Sequence, residues 1–190
     1  MISRRKFMQM GMATAGTALL PYSATTAAAP SGYGIYGTYA PELKVDYWID
    51  AAGEPTDLFR LADHSDKWIL LKCFQSWCPG CHSHGLPAVQ KISHALKGNQ
   101  KIAFAGIQTV FEGHMINTVD KVREIQLQYD LQMPMGHDPG GPEDRPYTML
   151  DYRTGGTPWI IVISPERTVV FNDFHINADK AIEFLQQQTA

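Results

Sequence analysis

Cysteine is scarce in this chain, with three among 190 residues. That is too few for a small fold stapled by disulfides, so a core must come from packing. Charge is sparse as well, at 18% of residues and a formal net of −3. The one cationic run is Arg4-Arg5-Lys6. Residues 1–29 hold these three positive charges and no acid, so the remainder carries −6. No nucleic-acid partner is expected, because binding phosphates requires a positive stripe. The sequence has no internal repeat, and no apolar run reaches the roughly twenty residues of a membrane-spanning helix. Hydrophobic residues, in contrast, make up 44%. That supports a packed core and excludes global disorder. The length suits one domain of roughly one to two hundred residues.

The N-terminal segment reads as an address. Arg4-Arg5-Lys6-Phe7 precedes a weakly apolar stretch from Gly11 to Leu20, and small residues follow from Ser23 to Ala29. This order is that of a signal peptide, cut near residues 27–29. The paired arginines and the apolar run diluted by Gly and Thr resemble a twin-arginine (Tat) signal. The expected divisions are a signal over 1–29, an irregular lead-in over 30–43 and one domain over 44–190. The exported protein is expected in the periplasm, where disulfides can persist.

Periodicity predicts an α/β order. Val45 to Ile49 reads as a short strand, Leu58 to Leu61 as an extended or turn segment, and Trp68 to Phe74 as a buried strand. Leu86, Val89, Ile92 and Leu96 lie close to one helical face, and Gly98-Asn99 stops that helix. A strand is expected from Ile102 to Ile107. Asn117 is expected to cap a helix bearing Val119, Val122, Ile125 and Tyr129. Pro134 to Pro146 reads as a loop, and Tyr147 to Tyr152 as a short turn or helix. Strands at Trp159–Ile163 and Thr168–Phe171 form a hairpin. A last helix, capped by Asn177, ends near Gln188. The closing antiparallel hairpin makes the sheet mixed.

The chemistry is concentrated at Trp77-Cys78-Pro79-Gly80-Cys81, which follows the buried strand and opens a helix. Two cysteines three apart can close a disulfide with a small loop. Free amides and the helix dipole stabilise a thiolate on the first of them. Pro79 suits the first helical turn. Cys78 is expected as the exposed nucleophile, and Cys81 as the resolving thiol.

Leu70-Leu71-Lys72-Cys73-Phe74-Gln75-Ser76-Trp77-Cys78-Pro79-Gly80-Cys81 resembles the strand, Trp-Cys-x-x-Cys and helix of thioredoxin-like proteins. Residues 42–188 are similar to the periplasmic TlpA/ResA-type branch. The resemblance implies a thioredoxin fold: a central mixed sheet flanked by helices, an N-terminal strand extension and a mid-domain insertion. It also implies that Gly155-Gly156-Thr157-Pro158-Trp159 is the cis-proline loop beside the cysteines, where Thr157 and Pro158 hold a substrate chain as an added strand. Further, it implies a redox-active Cys78–Cys81 disulfide, protein dithiol or disulfide substrates, a membrane electron donor and no cofactor.

The sequence departs from that branch at His84 and at Pro87, which lies one residue later than the branch has it, and from thioredoxins at Lys72. His84 stands where the branch carries Glu, and the resemblance would make its imidazole the substitute proton carrier. Lys72 stands six residues before Cys78, where thioredoxins carry a buried Asp. It interrupts an apolar strand, and such breaks gather at functional sites. Cys73 has the opposite strand parity and reads as an inert thiol on the other sheet face.

Other readings compete. Cys78 to His82 also spells the c-type haem string, but that leaves Gly-Thr-Pro unexplained. Cys78, Cys81, His82 and His84 are metal-ligand types, but they crowd one helical turn, so no metal is expected. A peroxiredoxin-like redoxin would share the fold, yet Gln75-Ser76-Trp77 lacks the peroxidatic context. An oxidase or isomerase would use the same pair in another direction. The expectation is an exported thiol-disulfide oxidoreductase that reduces partner disulfides through Cys78 and Cys81. Trp77, Lys72, Thr157, Pro158 and His84 support the site.

Overall fold

A computed structural model of the protein describes residues 32–141 and 145–190. The segment read as a signal, 1–29, lies outside the described residues. Six strands form one sheet in the order β1-β4-β3-β2-β5-β6. They are β1 Tyr47–Ile49, β2 Trp68–Phe74, β3 Ile102–Thr109, β4 Met135–Asp138, β5 Trp159–Ile163 and β6 Val169–Asp173. The helices are α1 Leu86–Ala95, α2 Asp120–Gln128, α3 Tyr147–Tyr152 and α4 Ala178–Thr189. β2, β3 and β4 run parallel, while β5, β6 and β1 are antiparallel to their neighbours. The sheet is mixed, as expected for a thioredoxin fold. β1 is the N-terminal extension at one edge, and α2–β4 is the mid-domain insertion.

β2 is central and buried on both faces, which is why its sequence is continuously apolar. Leu70 and Phe74 face a core built with α1, α2 and α4, through residues such as Val89, Val122 and Leu185. Ile69, Leu71 and Cys73 face a second core with Trp48, Leu61 and Tyr152. Each such side chain contributes about 1.5–3 kcal/mol on burial. Among its described residues the lead-in has no helix or named strand, yet it is stitched to β6. Gly37 N–H donates to Val169 O at 2.9 Å, Val169 N–H to Thr38 O at 3.0 Å and Asn172 Nδ2 to Ile35 O at 3.2 Å.

Several elements differ from the sequence reading. Pro134 to Pro146 is not all loop: Met135–Asp138 forms β4, paired on both edges with β1 and β3. Its His and Asp carry no strand signal; pairing with two neighbours supplies the order. Leu58 to Leu61 is irregular and leads into a 3₁₀ turn, Leu61–His64. Asn117 does not cap α2, which starts after Val119 without a side-chain cap; its amide is used elsewhere. Asn177 does cap α4, accepting from Lys180 N at 3.0 Å. Finally, the helix after the cysteines is not α throughout, because Cys81–Gly85 forms a π-turn with Leu86 N–H donating to Cys81 O. Pro87 has no N–H for an α-helical bond to Ser83 O, and its ring would press on that carbonyl. The wider turn relieves both.

Candidate active site

The two site cysteines lie just past the C-terminal end of β2, where the chain leaves the sheet and turns into α1. Cys78 O accepts from Cys81 N at 3.0 Å and from His82 N at 3.2 Å. The first turn is thereby closed around Cys78. Both residues are thiols here. Cys78 Sγ accepts from Cys81 N at 3.2 Å and donates to Thr157 O at 3.4 Å. Cys78 is not exposed as the sequence reading held. Only 7% of its surface is open, and none of Cys81's. The cover is the Pro158 loop, whose Thr157–Pro158 bond is cis. Pro158 rests directly on the cysteine turn. A Cβ added at Gly80 would lie 3.1 Å from Pro158 Cδ, and one at Gly85 would lie 2.4 Å from Pro158 Cβ.

Lys72 is buried on the same face of β2 as Leu70 and Phe74. Its Nζ has no hydrogen-bond partner among the described residues. Burial pulls the ammonium down to about 8, opposed by the charges of Cys81, Cys73 and Cys78. Gly85 makes room for the amine, because a Cβ there would lie 2.5 Å from Nζ. Burial pushes the Cys81 thiol well up, as does its bond with Cys78. The Gln75 amide and Lys72 act in the opposite direction. A buried amine without a partner therefore faces a buried thiol that resists ionisation, and desolvation favours the neutral form of each. Cys73 lies on the other face and is pushed by burial up to about 12.

Trp77 is 41% exposed. Around it the chain is tied by polar side chains that the sequence reading missed. Asn117 Oδ1 accepts from Ser76 N at 2.7 Å and Ser76 Oγ at 2.8 Å, and its Nδ2 donates to Glu112 O at 3.1 Å. Gln75 Nε2 donates to Glu112 O at 3.4 Å. In sequence Gln108 reads as an ordinary polar residue and Asn117 as a helix cap; Asn117 meets Ser76, and Gln108 Nε2 donates to Asn117 Oδ1 at 3.4 Å from behind. His82 is also committed to support: its Nδ1 lies 2.7 Å from Tyr129 Oη and its Nε2 2.6 Å from Ser76 O. Both ring nitrogens are therefore engaged away from the thiols. His84 is exposed, bonded to Ser83 Oγ at 2.7 Å, with its ring edge toward His175. The structure thus brings together Cys78, Cys81, Lys72, Thr157 and Pro158. It places Trp77 at the rim and His84 on the solvent side.

The surroundings suit thiol-disulfide exchange: a dithiol at a helix start, a backbone carbonyl on the outer sulfur and a buried amine near the inner one. Residues 36–172 match the AhpC/TSA family. No curated protein sequence matches this chain. Among solved structures, a thioredoxin-like superfamily protein is 34% identical, covering 77% of this chain and 95% of its own, with a TM-score of 0.67. A thiol-disulfide isomerase from Corynebacterium glutamicum is 26% identical, covering 80% and 97%, with a TM-score of 0.66. A thiol:disulfide interchange protein from Chlorobium tepidum, 19% identical over 82% and 99%, shares the fold with a TM-score of 0.58. With a family match across most of its length and that fold, the chain belongs to the AhpC/TSA family and is a thioredoxin-like thiol-disulfide oxidoreductase.

Proposed function

We propose that the protein is exported and reduces disulfides in partner proteins through Cys78 and Cys81. The observation that carries this reading is the position of Cys78 Sγ, between Cys81 N–H and the Thr157 carbonyl at the mouth of the site. A substrate chain laid along the Pro158 loop as an added strand brings its disulfide onto that sulfur. Cys78, as thiolate, attacks one substrate sulfur, and the other leaves and takes a proton. Cys81 then loses its proton, attacks Cys78 Sγ and releases the second substrate thiol. Two electrons pass to the substrate, and the Cys78–Cys81 disulfide forms. A membrane electron donor restores the dithiol.

Lys72 serves the second step. Its amine, whose neutral fraction grows as pH approaches 8, accepts the Cys81 proton, and the resulting ammonium stabilises the thiolate. Trp77 forms the rim, and Thr157 and Pro158 position the substrate. His84, turned to solvent, has no role in this sequence of steps. The proposed divisions are 1–29 as a Tat-like signal removed on export to the periplasm, 30–43 as the lead-in and 44–190 as the catalytic domain. Among the described residues no helix is long and apolar enough to cross a membrane.

Cys81→Ser tests the reading, because exchange stalls without a resolving thiol. The variant should trap partners on Cys78 as adducts sensitive to reductant. A Cys78→Ser/Cys81→Ser variant should trap none. Equal adducts in both would transfer the chemistry to Cys73 or to chance oxidation and end the assignment.

A further inference from the structure

His82 is turned away from the sulfurs, yet it ties together the two ends of the segment that carries them. Its Nε2 lies 2.6 Å from Ser76 O and its Nδ1 2.7 Å from Tyr129 Oη. A carbonyl can only accept, so Nε2 holds the proton and donates to Ser76 O. In the neutral ring Nδ1 is then an acceptor, and it takes the Tyr129 hydroxyl. Burial, and then the charge of Cys81, push the Tyr129 phenol up, which keeps it a donor at neutral pH.

Both anchors are themselves held. Ser76 N and Oγ donate to Asn117 Oδ1 at 2.7 and 2.8 Å, so the residue that receives His82 has a fixed place. Tyr129 closes the end of α2, where its N–H donates to Ile125 O at 3.1 Å, and its ring packs against the core face that holds Val122 and Ile125. Ser76 and His82 also bracket the dithiol in sequence, one on each side of Cys78 and Cys81. The tie between them spans the same short loop that a Cys78–Cys81 disulfide closes. In the dithiol it limits how far the loop opens, which raises the effective concentration of one thiol at the other. A higher effective concentration favours the disulfide and makes the dithiol the stronger reductant.

We infer that His82 is a positioning residue that poises the pair to give up electrons: its hydrogen bond to Ser76 O, with the donor nitrogen fixed by Tyr129, braces the dithiol near the geometry of the disulfide. This inference rests on the oxidoreductase reading and adds to it a residue that favours the reducing direction. The brace does not touch the reacting sulfurs, so its effect is read in the redox equilibrium.

The test is the equilibrium of the purified protein with glutathione redox buffers. Oxidation takes two electrons and two protons from Cys78 and Cys81 as their sulfurs join, and glutathione disulfide takes these up to become two glutathione thiols. Alkylation of the denatured chain counts the result, three free thiols when reduced and one when oxidised. In His82→Leu, which fills the space without a donor, the equilibrium constant for oxidation should fall about fivefold, a rise in potential of about 20 mV. His82→Gln keeps an N–H donor on a chain of similar reach and should recover most of the difference. Tyr129→Phe loses only the hydroxyl and should shift the constant in the same direction by about twofold, because the donor nitrogen of the ring is no longer fixed. An unchanged constant in His82→Leu, or equal shifts in the Leu and Gln variants, overturns the brace, since packing alone predicts one of these. If His82→Leu does not fold, Tyr129→Phe decides alone, and a constant equal to that of the unaltered protein overturns the brace. Each of these results leaves the oxidoreductase reading intact. If no buffer converts the pair to a disulfide, that reading fails and the brace fails with it.

Discussion

Replacing Lys72 with Met should make the protein more stable and a poorer catalyst. The lysine is fully buried, and its ammonium is pulled from 10.5 to about 8. At about 1.4 kcal/mol per tenfold, this is about 3 kcal/mol against the charged form. Below pH 8 both folded and unfolded chains hold the proton, so the full penalty is present at pH 7. Between about 8 and 10.5 the folded chain has lost a proton that the unfolded chain keeps. Stability therefore rises with pH there, by up to about 1.4 kcal/mol per unit. Cys73 and Cys81, both pushed up from 9.0 to about 12, act in the opposite sense. Above about 9 the unfolded thiols ionise while the folded ones do not, and stability falls. The reduced protein should thus peak in stability near pH 9. Lys72→Met keeps the length and apolar stem, so it should gain about 3 kcal/mol at pH 7 and lose the rise from 8 to 9. Urea unfolding of the reduced protein at each pH measures this. Stopped-flow exchange should show formation of the mixed disulfide, with its resolution by Cys81 slowed most at about pH 8 and above, where the unaltered amine is neutral. A Met variant less stable at pH 7, or one retaining the rise, would refute the buried unpaired charge. Unslowed resolution would remove Lys72 from the proton transfer.

Three further outcomes are expected. Gly85→Ala places a Cβ 2.4 Å from Pro158 Cβ and 2.5 Å from Lys72 Nζ. It should lower stability by about 1–3 kcal/mol and slow exchange, because the cysteine turn and the Pro158 loop must part; an unchanged Tm would contradict that packing. His64, stacked on Phe59 at 4.5 Å, is shifted below 6.5 by burial and then by Lys67. The unfolded chain takes up its proton first, so stability falls as pH drops through 6.5, and His64→Leu should flatten this acid limb; an equally steep limb in the variant would place its origin elsewhere. Arg4→Lys with Arg5→Lys should hold the precursor in the cytoplasm, whereas undiminished export in a fractionation assay would leave a general secretory signal.

The reach of the sequence differs from one element to the next. Trp68–Phe74 is legible as β2 because a strand covered on both faces must be apolar throughout. Trp159–Ile163 is legible for the same reason, and α4 because Asn177 supplies a local cap. The cysteine spacing and the Gly-Thr-Pro run point to the pair and its loop because each is a short motif whose chemistry depends on adjacent residues. The tertiary structure alone decided what depends on distant partners. β4 exists because β1 and β3 pair with both its edges, against its own composition. Asn117 left α2 for Ser76, since a buried turn beside Cys78 needed its amide groups satisfied more than the exposed helix start did. The π-turn follows from Pro87 together with Pro158 pressing on Gly80 and Gly85. Lys72 shows the division most clearly. Its interruption of an apolar strand is visible in sequence, but that its amine faces Cys81 without an acid follows only from what the fold packs around it.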